Sequence, residues 1–314
     1  MLLEGTVFRV NSGNYFVSTD GGVIVGKLRG NLKKELVYST SASRARRVDQ
    51  AKKRRDTDPI AVGDRVRIDP DLHVIEDILP RRTELARRSP SQRGQHTLVA
   101  NLDHLFVVFA AMEPRPDLWL LDRFLVTAES AEIEASIIVN KTDLLNGDDA
   151  EIRDLLLPYE KIGYPVNFAS AREGMGLTDL RELLRGRISA FAGPSGVGKS
   201  RLLNALCPGL NLRVGEIGYV TYKGRHTTTT AELIPLEEGR EGWVADTPGL
   251  RQLEFWEVDK DDIVWCFPEL RPFVGSCRFN DCRHRDEIGC AIREAVESGE
   301  IDNRRYLSFR EMTS

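Results

Sequence analysis

Eight residues, Gly193-Pro194-Ser195-Gly196-Val197-Gly198-Lys199-Ser200, fit the spacing G-x-x-x-x-G-K-[ST]. Glycine amides at such spacing can curl around phosphates while the following helix points its positive end at them. In this pattern Lys199 reaches the outer phosphates, Ser200 ligates Mg²⁺, and Arg201 opens the flanking helix. A Gly-rich turn can arise by chance. Here, however, an apolar strand, Ile188–Ala192, precedes the loop and a helical pattern, 200–206, follows it, which is the context the chemistry requires.

A second element, Asn140-Lys141-Thr142-Asp143, closes the apolar strand 135–140. A carboxylate at Asp143 can accept from two donors at once, the ring N–H and the exocyclic amine of guanine. Adenine presents no such pair and would strand the buried acceptor. Alone, the tetrapeptide is equally an ordinary strand-to-helix turn capped by Thr142 or Asp143. Ser170 and Ala171, at the end of the next strand, would add backbone amides near the base oxygen. Further on, Asp246-Thr247-Pro248-Gly249 follows the apolar segment 243–245. Such an Asp holds the Mg²⁺ water shell and the Gly249 amide bonds a γ-phosphate. Between these lies Lys223-Gly-Arg-His-Thr-Thr-Thr-Thr230, in which Thr228 is the expected last Mg²⁺ ligand; its ordinary alternative is a threonine-rich surface loop.

Cys277, Cys282, His284 and Cys290 are spaced C-x4-C-x-H-x5-C. Three thiolates and one imidazole suit a closed tetrahedral Zn²⁺ site with no position for water, so one structural zinc is expected. Four unrelated buried residues are the alternative. Cys207 and Cys266 have no such neighbours and read as core thiols. The 64 residues from 251 onward bury little surface by themselves, so metal would supply much of their folding free energy.

These groups need elements to hold them. Short strands at 3–10, 15–18, 23–28, 64–68 and 74–79, divided by turns such as Asn11-Ser12-Gly13 and Asp69-Pro70-Asp71, predict a small barrel. Inside it, the apolar-poor stretch 39–58 carries Arg44, Arg46, Arg47, Lys52, Lys53, Arg54 and Arg55 and predicts a mobile loop that meets RNA phosphates, or else a merely solvated one. Residues 81–100, with Pro90, Gly94 and several arginines, read as a connector. From Asp103 on, apolar strands alternate with helical stretches, as in a parallel sheet covered on both faces, with ligands at the strand ends.

Net charge is −4 over 314 residues, yet residues 1–93 carry 19 Lys+Arg against 12 Asp+Glu, and the remainder is acidic by eleven. The longest apolar run, Leu105 to Met112, is far short of the ~20 residues that cross a bilayer. The start shows no basic end followed by an apolar core, and five unevenly placed cysteines make no disulfide framework. A cytoplasmic protein without membrane attachment is expected.

Taken together, the elements run NKTD, SA, GPSGVGKS, GRHTTTT, DTPG, an order that permutes the usual GTPase sequence to G4-G5-G1-G2-G3. With the N-terminal strands and the Cys/His cluster, the chain resembles the ribosome small-subunit-dependent, circularly permuted GTPases of the RsgA (YjeQ) family over essentially its whole length. The resemblance implies a multidomain chain: an all-β OB-fold barrel at 1–80, a linker at 81–100, a permuted α/β P-loop GTPase domain at 101–250 and a small α-helical zinc domain at 251–314. It implies GTP hydrolysis to GDP and phosphate, stimulated by the small (30S) ribosomal subunit during its late maturation, with rRNA contact through the barrel; a monomer is expected. Two departures stand out: Pro194 removes one possible amide donor, and Arg172 follows Ser170-Ala171. Leu250 stands where many GTPases carry a water-orienting Gln. His226 is therefore the candidate for that task, as the resemblance also suggests; it would otherwise be a loop residue or an RNA contact. A nucleotide-gated RNA scaffold and a purine NTPase unconnected to RNA are the alternative readings, the latter leaving the basic N-terminal region unused.

Overall fold

Apolar residues at alternate positions of the first strands give each one a wet and a dry face, and the dry faces close on one another. The computed structural model describes residues 1–30, 32, 34–38, 48–53, 59–88, 95–207, 232–236, 242–246 and 258–314. They form two compact units, one built on Met1–Leu102 with 232–234 and 245–246, the other on the remaining described residues from Asp103 onward.

The first unit holds strands β1 (Leu3–Asn11), β2 (Asn14–Thr19), β3 (Gly22–Leu28), β4 (Lys34–Tyr38), β5 (Val48–Lys53), β6 (Arg65–Asp69), β7 (Val74–Ile78), β8 (Glu84–Arg88) and β9 (Gln95–Ala100). Five of them, in the order β1-β2-β3-β7-β6 with β6 returning to β1, make a closed OB-type barrel. Val7, Tyr15, Val17, Val66, Ile68 and Ile75 fill it. Closure removes the unpaired edges that a five-stranded open sheet would expose.

Two stretches differ from the expectation of loop and connector. Residues 48–53 pair antiparallel with β4, so Lys52 and Lys53 stand on a strand, opposite Glu35 and Lys34. Residues 84–100 contain the β8–β9 hairpin, preceded by Arg81, whose guanidinium donates to the fully buried Asp64 carboxylate at 2.8 and 2.9 Å. Charge-rich composition hid both, because ladder bonds use backbone groups that composition does not report.

In the second unit β10 (His104–Ala110), α1 (Leu118–Ser130), β11 (Glu134–Asn140), α2 (Ala150–Lys161), β12 (Val166–Phe168), α3 (Leu177–Leu184), β13 (Ile188–Ala192) and α4 (Lys199–Leu206) alternate as expected. The strands run parallel in the order β12-β11-β10-β13, and every residue of β10 and β13 is buried. Asp117 caps α1 by accepting from the Trp119 and Leu120 amides. Two short strands, β14 (Glu232–Pro235) and β15 (Trp243–Asp246), follow in the chain and are divided between the two units; within the second, the Trp243 amide donates to the Arg187 carbonyl at 2.8 Å.

The chain ends in two helices, α5 (Ala291–Glu297) and α6 (Asn303–Met312). Helix α5 does not extend back through 283–287, because Glu287 captures the backbone amides of Arg283, Arg285 and Asp286 and holds that stretch as a loop. Phe267, Leu270, Ile292, Ile301 and Phe309 form the local core, which Val126 of α1 completes. Beside it Asp122, fully buried on α1, accepts from Tyr159, Arg304, Arg305 and Ser308. Arg305, 1% exposed, also pairs with Glu269. A single buried charge thus joins three helices.

At the starting end of the sheet Arg187 donates to His104 Nδ1 at 3.2 Å, which leaves the proton on Nε2 to bond the Ser136 hydroxyl at 2.8 Å. Burial, and then the Arg187 charge, hold the His104 pKa below the usual 6.5, against smaller opposing effects of Glu134 and Asp103. The unfolded chain takes up this proton near pH 6.5 and the folded chain resists it, so stability contributed above that pH is lost as pH falls below it. Thermal unfolding followed from about pH 7.5 to 5.5 should show a declining midpoint, and His104→Gln should flatten that decline.

Candidate functional site

The carboxyl ends of β10, β11, β12 and β13 carry the residues singled out above. Gly193 leaves β13 at φ +135°, where an added Cβ would stand 2.1 Å from the Val108 carbonyl oxygen. Only glycine lets the loop pass so close to β10. The loop runs to Gly198, φ +92°, and α4 begins at Lys199 with its free amides facing the loop. Val197 is buried, whereas Ser195 and Gly196 are exposed. Lys199 Nζ lies across the loop, donating to the Gly193 and Pro194 carbonyls at 2.7 and 2.6 Å. Ser200 is half-buried and Arg201 exposed on the first turn of α4. Arg181 of α3 caps the far end of that helix through the Ala205 and Leu206 carbonyls.

Asn140 ties three segments together. It is 1% exposed; its Nδ2 donates to the Val197 carbonyl at 2.9 Å, and its Oδ1 accepts from the Ala171 amide at 3.2 Å. Lys141 follows in the left-handed region, φ 62°, a strained state for a lysine, and its Nζ donates to the Glu113 carbonyl. Thr142 is pinned through both its amide and its hydroxyl to the Ala169 carbonyl. Asp143 then presents a carboxylate only 7% exposed, with Oδ1 accepting from the Ser170 hydroxyl at 2.7 Å. The expected residues 140–143, 170–171 and 193–201 are thus brought to one end of one sheet. Motif spacing had suggested backbone amides at 170–171; the Ser170 hydroxyl and the Asn140 crosslink carry no periodic signal and are seen only in three dimensions.

Asp246 ends β15, half-buried. His226, Thr228 and Gly249 lie outside the described residues, as do Arg44, Arg46, Arg47, Arg54 and Arg55.

Cys277, Cys282, His284 and Cys290 converge, with their ligand atoms all within 4.8 Å of one another. His284 Nδ1 lies 3.4 Å from Cys277 Sγ and 3.6 Å from Cys290 Sγ, and the two sulfurs are 3.9 Å apart. These edges suit a tetrahedron with bonds of about 2.0–2.3 Å. The cluster can therefore hold a metal ion. Tyr306 donates to the His284 and Arg285 carbonyls and fixes the loop from behind. Burial first, and then the neighbouring thiols, push Cys282 up to about 12, so metal capture there displaces a proton. Four backbone amides hold the Glu287 carboxyl down at about 2 despite the cost of burial.

Known proteins match the same arrangement. Residues 78–256 fit the model of the RsgA GTPase family. The chain belongs to that family. A relative from Moorella thermoacetica, "Small ribosomal subunit biogenesis GTPase RsgA", is 43% identical over 98% of this chain and 95% of its own. The protein of the same name from Gemmatimonas aurantiaca is 48% identical over 80% of this chain and 82% of its own. Among solved structures, YjeQ from Thermotoga maritima superposes with a TM-score of 0.77 at 35% identity, covering 100% of this chain and 98% of that one. YloQ, a circularly permuted GTPase, gives 0.73 at 31%, covering 100% and 94%. This RsgA-family chain is accordingly a permuted GTP hydrolase, and its parallel sheet carries the permutation: β11 with NKTD precedes β13 in the chain, with β10 between them in space.

The Asn140 crosslink makes Gly198 a sensitive position, since a Cβ there would stand 2.5 Å from Asn140 Nδ2 at a φ that side chains rarely adopt. Gly198→Ala should weaken GTP binding by roughly 10- to 100-fold in a calorimetric titration, from strain of about 1–3 kcal/mol.

Proposed function

We propose that this chain is a GTPase of small ribosomal subunit biogenesis, which binds the maturing subunit and hydrolyses GTP to GDP and phosphate when bound. The observation that carries the guanine and phosphate chemistry is the buried Asn140 amide, which sets Asp143 and the phosphate loop in one frame. The ribosomal partner is supported by the names of the relatives and by the basic surplus of residues 1–93. Contact through lysine and arginine with rRNA phosphates would weaken steeply with salt. We assign that contact to the barrel and to residues 44–55, and divide the chain into barrel 1–80, a segment 81–100 that carries the β8–β9 hairpin, GTPase domain 101–250 and zinc module 251–314.

In the proposed reaction Asp143 accepts from guanine, while the amides of 193–201, with Lys199, hold the phosphates. Lys199 exchanges the Gly193 and Pro194 carbonyls it now bonds for phosphate oxygens. Ser200, Asp246 and Thr228 would hold Mg²⁺, which neutralises charge on the β- and γ-phosphates. Gly249 senses the γ-phosphate, and His226 orients the attacking water in place of the glutamine that Leu250 excludes. Turnover is slow until the subunit sets His226 against the attacking water.

The metal at the Cys/His cluster is assigned as Zn²⁺, because three sulfurs and one nitrogen in a closed set match its preference. Among the described residues no helix is long and apolar enough to cross a membrane. A cytoplasmic location and a monomeric state belong to the proposal and rest on the kinship with small-subunit biogenesis GTPases.

Hydrolysis of GTP and ATP should be compared with and without purified small subunits. GTP turnover that rises at least tenfold with subunits, with ATP inert, is expected; equal rates in all four conditions would remove the reading. His226→Ala should keep GTP affinity and lose the stimulated rate by about 10²–10⁴-fold. Elemental analysis should find one zinc per chain, and Cys282→Ser should lose it together with the protection of α5 and α6 from hydrogen exchange.

A further inference from the structure

Arg172 follows the Ser170-Ala171 pair and has no place in the chemistry described so far. Its guanidinium lies 3.8 Å from Asp143 Oδ2, the carboxylate oxygen that Ser170 does not occupy. We propose that Arg172 is a positioning residue for guanine, a fixed cation that balances the Asp143 carboxylate once a neutral base has covered it. The inference rests on the reading that Asp143 accepts from guanine.

Three observations support it. First, the point from which Arg172 springs is built. The Ala171 amide on one side donates to Asn140 Oδ1 at 3.2 Å, and the Glu173 amide on the other donates to the Ser170 hydroxyl at 3.1 Å. The turn closes with Gly174 N–H to the Ser170 carbonyl at 2.8 Å and Ser170 N–H to the Met175 carbonyl at 3.0 Å. The groups that orient Asp143 therefore also aim the residue after Ala171.

Second, the stoichiometry of donors is right. An ionised carboxylate offers about four acceptor positions. Ser170 takes one on Oδ1 and Arg172 faces Oδ2, which leaves room for two more donors, the number that guanine brings. Arg172 therefore need not leave when the base arrives.

Third, the cation gains strength on binding. The Asp143 side chain is 7% exposed and that of Arg172 71%, so in the free protein the pair is screened and worth little. A base seated on the carboxylate excludes the remaining water, and the attraction grows severalfold as the effective dielectric constant falls from ~80 toward ~20. Guanine carries no charge to compensate the anion. The nearby lysine of the tetrapeptide is engaged elsewhere, at the Glu113 carbonyl. An interaction stronger in the bound state than in the free one adds to affinity for any ligand that covers Asp143.

The test uses the full-length protein with GDP, GTP and xanthosine diphosphate. Arg172→Ala should weaken GDP and GTP by the same factor, about three- to tenfold, since it acts on the base and not on the phosphates. The rate at saturating GTP with small subunits should be unchanged, and Arg172→Lys should restore most of the affinity. In an Asp143→Asn background, which should exchange guanine for xanthine preference, adding Arg172→Ala should leave xanthosine diphosphate binding unaltered when it is read at a mildly acidic pH at which the xanthine ring is neutral, because the charge it balanced is gone. Unchanged or tighter GDP binding by Arg172→Ala would overturn the proposal. So would an equal loss in the Asp143→Asn background. If Asp143→Asn itself failed to exchange GDP for xanthosine diphosphate, the guanine reading would fall and the proposal with it, a result distinct from the other two.

Discussion

The nucleotide end of the sheet depends on one buried side-chain amide. Asn140 sits on β11, the phosphate loop leaves β13, and β10 runs between them, so any direct tie must pass over the end of β10. That end is closed by Ala110 and Ala111, both small and buried, and the Ala111 amide donates to the Asn140 carbonyl. Gly198 leaves the space that the amide needs on the other side. A buried amide with one end unpaired would cost about 1–3 kcal/mol, so the phosphate loop, the tetrapeptide turn and the 170–175 turn keep one another in place. Such an arrangement is indifferent to the order in which the chain supplies the segments. Permutation is tolerated because the tie is a tertiary one.

A different kind of constraint fixes the C-terminal module. Asp122 and Arg305 are both essentially excluded from water, and each has a second partner: Arg304 for the aspartate, Glu269 for the arginine. Removing one member of such a cluster leaves an unpaired buried charge at about 3–5 kcal/mol, so the module cannot swing away from α1 without comparable cost. The Cys/His cluster closes its far side and a hydrophobic core fills the middle. Helix α1 thus belongs to two bodies at once, the sheet it covers and the module it holds.

What could be read from residues alone follows from which interactions are local. Barrel strands, the parallel strands and the helices were legible because alternation and helical spacing are properties of neighbouring residues. The phosphate loop and the Cys/His set were legible because ligand geometry restricts spacing. The β4–β5 pairing was not, since residues 48–53 are charge-rich and their strand is made by backbone bonds to a partner. Nor does composition show the loop 283–287 ahead of α5, where the Glu287 carboxylate outcompetes helix formation by taking three amides at once. Asp122 and Arg305 gave no signal either: a charged residue in an amphipathic pattern reads as solvent-facing, and only the partners from other helices reverse that.

These constraints meet in the segment between β10 and α1. Glu113 offers its carbonyl to Lys141, and Pro114 lies against Gly196 of the phosphate loop. Three residues later Asp117 caps α1, and within three further turns of that helix come Asp122 and then Val126, the contacts to the C-terminal module. A helix anchored at its start by the nucleotide site and along its flank by a buried ion cluster has little freedom to rotate or slide, because packed interiors transmit displacement rather than absorb it. Any shift in Lys141 or the phosphate loop must therefore be taken up in residues 111–117 or passed to α1. The acidic character of the second unit is no obstacle to its handling of phosphate, since the groups that face the anion are amides, Lys199 and the end of α4, and their fields fall off within the distance of a helical turn.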